Sequence, residues 1–286
     1  MDKHETQIFK RTGEISGPAL DQRIALTLEY DGAGYCGWQR QLSPLQASIQ
    51  QEVECALAKI ADHRVKVICA GRTDAGVHAT SQVLHFDCAI DRGRKAWVTG
   101  CNSLLPASIR ILDARTMAPD FHARFSATAR RYNYIIQQRE TAPAILAQRV
   151  LHRRRELDVT AMHRAAQALL GEQDFSAFRA SACQAKTPFR NVTSVRVISL
   201  GSFVVIDIQA NAFLQHMVRN IVGSLLAIGD GSRPTAWIAD LLAGKDRTRA
   251  AVTAAPGGLY LTQVTYPDQT GLVAAYIPPG FIEALA

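Results

Sequence analysis

None of the six cysteines, Cys36, Cys55, Cys69, Cys88, Cys101 and Cys183, forms a CxxC pair. That spacing argues against a zinc ribbon or a dithiol redox motif, and single reduced thiols in a cytosolic protein are the expectation. HxE followed by PCxxC is also missing, which removes the zinc-dependent base deaminases. No apolar run has the length of a membrane span, and none near the start has that of a signal-peptide core. A membrane protein or a disulfide-stapled secreted domain is therefore not the expectation.

What is present is ordinary for a globular protein that binds an anion. The 286 residues leave room for about two domains at ~150 residues each. Hydrophobic residues at 48% can build a sizeable core. Thirty-two basic against 25 acidic side chains leave a net charge of +7, which suits nucleic acid as partner.

The densest chemistry lies in AGRTDAGVHA, residues 70–79. Arg72 and Asp74 stand between Gly71 and Gly76, with a strand-like run, Val65 to Ala70, before them and another, Gln82 to Cys88, after. Both charges should sit on a loop joining two strands. A polar turn needs no function, yet two glycines allow close approach of a bulky ligand, and an adjacent arginine favours an ionised aspartate.

Ile24, Leu26, Leu28 and Tyr30 alternate as a half-buried strand. Gly32, Gly34 and Gly37 then spell GxGxxG, the dinucleotide fingerprint of an oxidoreductase, but the helix and acidic residue that the fingerprint requires are out of place. The spacing predicts that the helix begins later, with Ser43 as cap, Pro44 at its first position and Gln46 completing a capping box. Its apolar stripe is Leu45, Ile49, Val53, Leu57 and Ile60. A second helix over Trp97 to Leu105, ended by Pro106, and a strand over Ile109 to Leu112 complete strand, helix, strand, strand, helix, strand. That is the split βαβ, or ferredoxin-like, order. His78 and His85 lack partners at metal-ligand spacing, and a structural role is the preferred reading.

The second half repeats the order. FHARFSATARR, residues 121–131, interleaves cations with two phenylalanines, a composition equally suited to a solvated linker or to stacking on bases while gripping phosphates. A strand opens at Tyr132, and Arg149, Arg153, Arg154 and Arg155 add a basic stretch. Asp158 or Thr160 caps a helix running towards Gly171. Strands over Val192 to Leu200 and Phe203 to Ala210 lead to a long apolar helix, Phe213 to Ile228, bearing Arg219 and Asn220. A shorter helix from Pro234 to Leu242 and a strand over Leu259 to Tyr266 finish the pattern. An α+β fold of two ferredoxin-like halves side by side is expected, antiparallel sheets with helices on one face enclosing a central basic cleft. The divisions are a mobile extension at 1–22, an N-terminal domain at 23–118 carrying the Asp74 loop, a C-terminal domain at 119–267 and a tail at 268–286.

AGRTDAGVHA, DFHARFSATARRYNY, NAFLQHMVRNIVG and GLYLTQVTYP stand in one order. Together they resemble the TruA family of tRNA pseudouridine synthases, from roughly Arg23 to Pro267. The resemblance implies isomerisation of uridine to pseudouridine at positions 38, 39 and 40 of the tRNA anticodon stem and loop, without metal or organic cofactor, by a cytoplasmic homodimer. It implies that Asp74 is the nucleophile, attacking C1′ of the ribose or C6 of the uracil, and that Tyr132 stacks on the target base and handles a proton. Arg219 would pair with the aspartate, and Arg72 would fill the place of the flipped base. Phe121, His122, Ala123, Arg124 and Phe125, with Ala182, Cys183, Gln184, Ala185 and Lys186, would contact tRNA. Leu259 would wall the uracil pocket. The alternative is a non-catalytic RNA-binding protein, which would keep the basic cleft but tolerate loss of Asp74.

Overall fold

The computed structural model describes residues 22–41, 46–90, 92–273 and 275–283. The first strand, β1, spans Gln22–Tyr30, one residue inside the expected extension; the rest of that extension lies outside the described residues. Helix α1 (Ile49–Ala61) starts later than its expected cap. Ser48 is the N-cap and accepts from the Gln51 amide, while Gln46 is irregular. Ser43, Pro44 and Leu45 are outside the described residues. The shift has a tertiary cause: the Gly37 and Trp38 carbonyls take the Ile49 and Gln50 amides, satisfying donors that a free helix end would leave open.

The lead-in strand shrinks to β2 (Ile68–Cys69), because the Glu54 carboxylate captures the Val67 amide. β3 (His78–Cys88) is longer than predicted. The second helix runs as α2 (Gly93–Lys95), a π turn at Ala96–Gly100 and α3 (Cys101–Leu104), followed by β4 (Ile109–Met117). Then come β5 (Ala129–Gln138), β6 (Leu151–Arg153), α4 (Val159–Ala166) capped by Asp158, and β7 (Gly171–Asp174). β8 (Phe189–Leu200) and β9 (Phe203–Ala210) lead to α5 (Met217–Gly229), which opens four residues later than the apolar periodicity suggests. α6 (Trp237–Gly244), β10 (Leu259–Thr265) and a last turn, α7 (Gly280–Glu283), end the described chain.

The strands form one sheet, not two, in the order β4-β1-β3-β10-β5-β9-β8-β7, with β2 on β3 and β6 on β5. Most neighbours are antiparallel. β10 joins β3 by a short parallel pairing, Tyr260 opposite His78 and Leu261 opposite Ala79. It begins a few residues after Asp74, so the candidate loop lies beside the junction of these two strands. A continuous apolar core joins the helices to one side of the sheet and includes Leu26, Leu57, Leu84, Tyr134, Ile206 and Leu225. Because side chains alternate along a strand, Ile135 and Val205 point the other way. There they form a smaller cluster with Phe203, Tyr260 and Ile282. Phe281 and Ile282 of the expected tail thus pack as a strap on that second face, while Leu272 joins the main core. Among the described residues no helix is long and apolar enough to cross a membrane.

Candidate active site

The loop between β2 and β3 is held from beneath by the GxGxxG segment. A Cβ on Gly32 would lie 2.0 Å from the Val77 carbonyl oxygen, and one on Gly37 would lie 2.7 Å from that of Thr73. Gly37 also has φ +102°, a conformation that L side chains rarely adopt. The Trp38 amide donates to the Thr73 carbonyl at 3.0 Å, and the Gly76 amide to that of Tyr35 at 3.3 Å. These glycines let two backbones touch. Inside the loop the Thr73 hydroxyl meets the Tyr30 hydroxyl at 2.8 Å, and the Gln82 side-chain amide donates to the Gly71 carbonyl at 2.7 Å.

On this rigid base the Asp74 side chain is 30% exposed, open enough for a ligand. The first turn of α5 brings Arg219 against it. Arg219 Nη1 donates to Asp74 Oδ2 at 3.2 Å, and its Nε donates to the Ala254 carbonyl at 2.8 Å. These two bonds fix the guanidinium plane, as a forked donor can. Tyr132, on β5, is buried, its ring edge-to-face with Phe213 at 5.1 Å. A Cβ on Gly71 would stand 3.8 Å from its hydroxyl. Burial pushes the phenol pKa up, so Tyr132 keeps its proton at neutral pH. Leu259 begins β10, is buried and pairs with Tyr134. Arg72 is exposed and makes no hydrogen bond or ion pair with any described residue.

The segment 121–125 splits by exposure. Phe121 and Ala123 are buried and act as anchors: Phe121 packs on Tyr266, and Ala123 donates its amide to His85 Nδ1 and accepts at its carbonyl from Tyr266. Phe125 is 76% exposed, stacked at 4.3 Å on His122 and covered by the Arg124 guanidinium at 5.5 Å. Loop 182–186 is tied down by Arg179, whose Nη2 donates to the Cys183 and Ala185 carbonyls. Ala182, Gln184 and Lys186 are exposed. Burial raises the Cys183 thiol pKa, but amides of Ala185 and Gln215 and the Arg179 charge outweigh it and hold the thiol below its usual range.

Two groups at the site have no place in the sequence reading. Arg130 is buried and donates to the carbonyls of Ala70, Arg124, Ala127 and Asn211, joining the loop entry, the aromatic turn and the approach to α5. His216 Nε2 lies 3.4 Å from Asp74 Oδ2. Arg130 was visible only as one cation in a basic run. The sole signal for His216 was its place three residues before Arg219.

His78 and His85 accept amide hydrogens from Gly32 and Ala123, and burial lowers the pKa of each. Among the described residues no three His, Cys, Asp or Glu side chains are grouped so as to hold a metal ion.

The family model described as tRNA pseudouridine synthase matches residues 27–126 and 165–267. A tRNA pseudouridine synthase A of Shewanella sp. (strain MR-4) is 56% identical over 260 residues, 91% of this chain and 99% of the relative. One of Shewanella baltica (strain OS155 / ATCC BAA-1091) is 55% identical over 260 residues, with the same shares covered. Among solved structures, a chain of the Cbf5-Nop10-Gar1 complex is 10% identical with a TM-score of 0.31, over 83% of this chain and 57% of that one. That last likeness carries no weight.

Proposed function

The chain belongs to the tRNA pseudouridine synthase family, and from that premise we propose how the cleft around Asp74 performs the isomerisation of uridine to pseudouridine in tRNA. The observation that carries the reading is a half-buried, solvent-reachable carboxylate on a tightly held loop, with Arg219 bonded to one of its oxygens. The targets are the uridines at positions 38, 39 and 40 of the anticodon stem and loop. Arg72, which has no partner among the described residues, takes the place of the flipped base and offsets part of the unstacking cost.

Asp74 forms a covalent bond to the nucleotide, at C1′ of the ribose or C6 of the uracil. The glycosidic N1–C1′ bond breaks, the base turns, and C5 bonds to C1′ as the carboxylate leaves. C5 loses a proton and N1 gains one. A carboxylate suits this sequence because it can attack and depart at neutral pH. Tyr132 stacks on the base, and its protonated phenol relays the C5 proton, accepting at oxygen as it passes its own on. Leu259 walls the uracil pocket. The exposed face of Arg124 and Phe125, with loop 182–186, holds the RNA.

Strand orders β4-β1-β3-β2 and β10-β5-β9-β8 support a reading as two ferredoxin-like halves, 23–118 and 119–267, fused where β10 pairs with β3. We assign the protein to the cytoplasm as a homodimer with tRNA across both subunits.

The test is pseudouridine mapping on an unmodified tRNA transcript bearing uridines at 38 to 40, with wild type and Asp74→Asn and no added cofactor. Wild type should mark those uridines. The variant should bind the transcript yet leave no mark, since the carboxylate serves chemistry and not affinity. A variant that marks them at the wild-type rate would remove Asp74 from the mechanism.

A further inference from the structure

Both cationic or donor side chains at Asp74 converge on one oxygen. Arg219 Nη1 lies 3.2 Å and His216 Nε2 3.4 Å from Oδ2, whereas Oδ1 has no hydrogen-bond partner among the described residues. A second observation concerns how His216 reaches there. It occupies the N-cap position of α5 with φ 61° and ψ 3°, a left-handed backbone that is uncommon outside glycine. A side chain at that position normally caps the helix by accepting one of its free amides. His216 makes no such bond. The strained backbone instead delivers the imidazole to the carboxylate, and strain held at a site is a pointer to function.

We propose that His216 is a positioning residue for the nucleophile: with Arg219 it holds Oδ2, turning the carboxylate so that Oδ1 forms and later releases the bond to the substrate carbon. Either the imidazolium or the neutral tautomer protonated at Nε2 can donate, so the clamp works in both states. The inference rests on Asp74 being the nucleophile.

Three variants separate this role from a purely backbone one. Asparagine and glycine suit φ 61° but cannot present a donor at the depth of Nε2. Glutamine reaches that depth with an amide donor and suits the backbone less well. Single-turnover isomerisation of an unmodified tRNA transcript under saturating enzyme should fall about 10- to 100-fold in His216→Asn and His216→Gly, through loss of one of the two contacts that hold Oδ2. His216→Gln should recover most of that rate. Transcript affinity should be unchanged in all three. Melting temperatures should rank the other way, with Asn and Gly at or above Gln. Wild-type rates in Asn and Gly, or a Gln variant no faster than Asn, would overturn the proposal. Wild-type turnover by Asp74→Asn, run alongside, would instead overturn the nucleophile assignment on which it depends.

Discussion

At the scale of single residues, the site is a set of charges whose partners are chosen to hold them still. Arg219 divides its guanidinium between a carboxylate and the Ala254 carbonyl. Among the described residues Arg130 has only carbonyls as hydrogen-bond partners, and their four bonds offset the cost of burying a cation. His85 is the residue where pH should register. Its pKa falls from the usual 6.5 to about 4, through burial first and then the nearby charges of His122 and Arg23. The unfolded chain takes up a proton near 6.5 while the folded one resists until about 4. Stability from neutral His85 is therefore complete above 6.5 and lost progressively as pH drops towards 4. A protonated imidazole cannot accept the Ala123 amide, so the 121–125 turn should loosen in the same window. Denaturant melts between pH 4 and 7 should show a shallower decline for His85→Gln than for wild type; parallel declines would assign the acid sensitivity elsewhere.

Elements matter here chiefly by where they begin. α5 starting at Met217 instead of Phe213 puts Arg219 in a first turn, where its side chain can leave the apolar core for the cleft. Phe213, freed from the helix, packs on Tyr132. The segment between β1 and α1 has the same importance, since its glycines touch the back of the Asp74 loop. Gly37→Ala meets two obstacles, a φ of +102° and a Cβ 2.7 Å from the Thr73 carbonyl oxygen and 2.9 Å from the Asp74 carbonyl carbon. Loss of about 2–4 kcal/mol of stability is expected from strain and displacement together. Turnover should fall at temperatures where the variant is still folded, because the loop itself must move. A Gly37→Ala protein that melts early yet turns over normally when folded would show that the loop tolerates displacement.

Across the described residues, one sheet carries helices on one face and a strap on the other. Residues 275–283 cross β3, β10 and β5. Ile277 donates its amide to the Thr262 carbonyl, the Tyr276 hydroxyl donates to Asn133, and the Arg131 guanidinium lies 3.8 Å over the Tyr276 ring. Ile282 is 2% exposed, and Phe281 packs on Phe203 and Tyr260. Truncation after Pro267 uncovers Ile135, Val205 and Tyr260 and should cost on the order of 3 kcal/mol, about what burial of one or two large apolar side chains contributes. Calorimetry checks the drop. Isomerisation measured well below the lowered transition should persist, since the strap lies across the sheet from the Asp74 loop.

Alternation and 3.6-residue periodicity, which depend only on neighbours along the chain, were enough to read β1, α1, β8, β9, β10 and the order of the longer elements, but not the short β6, β7 and α7. The Asp74 loop was legible too, because an arginine, a carboxylate and two glycines are concentrated in ten residues. Long-range satisfaction of backbone groups decided the remainder. Helix α1 begins at Ile49 because the distant Gly37 and Trp38 carbonyls receive its first amides, and β2 is short because Glu54 takes an amide from the strand. GxGxxG read as a decoy fingerprint, and only the packed chain shows its use, as the place where one backbone supports another. His216 and Arg130 escaped notice for the same reason: an imidazole near a carboxylate 142 residues away, or a guanidinium bonded to carbonyls in three separate segments, leaves no periodic trace. Local pattern determined which elements form, and tertiary contact decided where they end and which side chains meet.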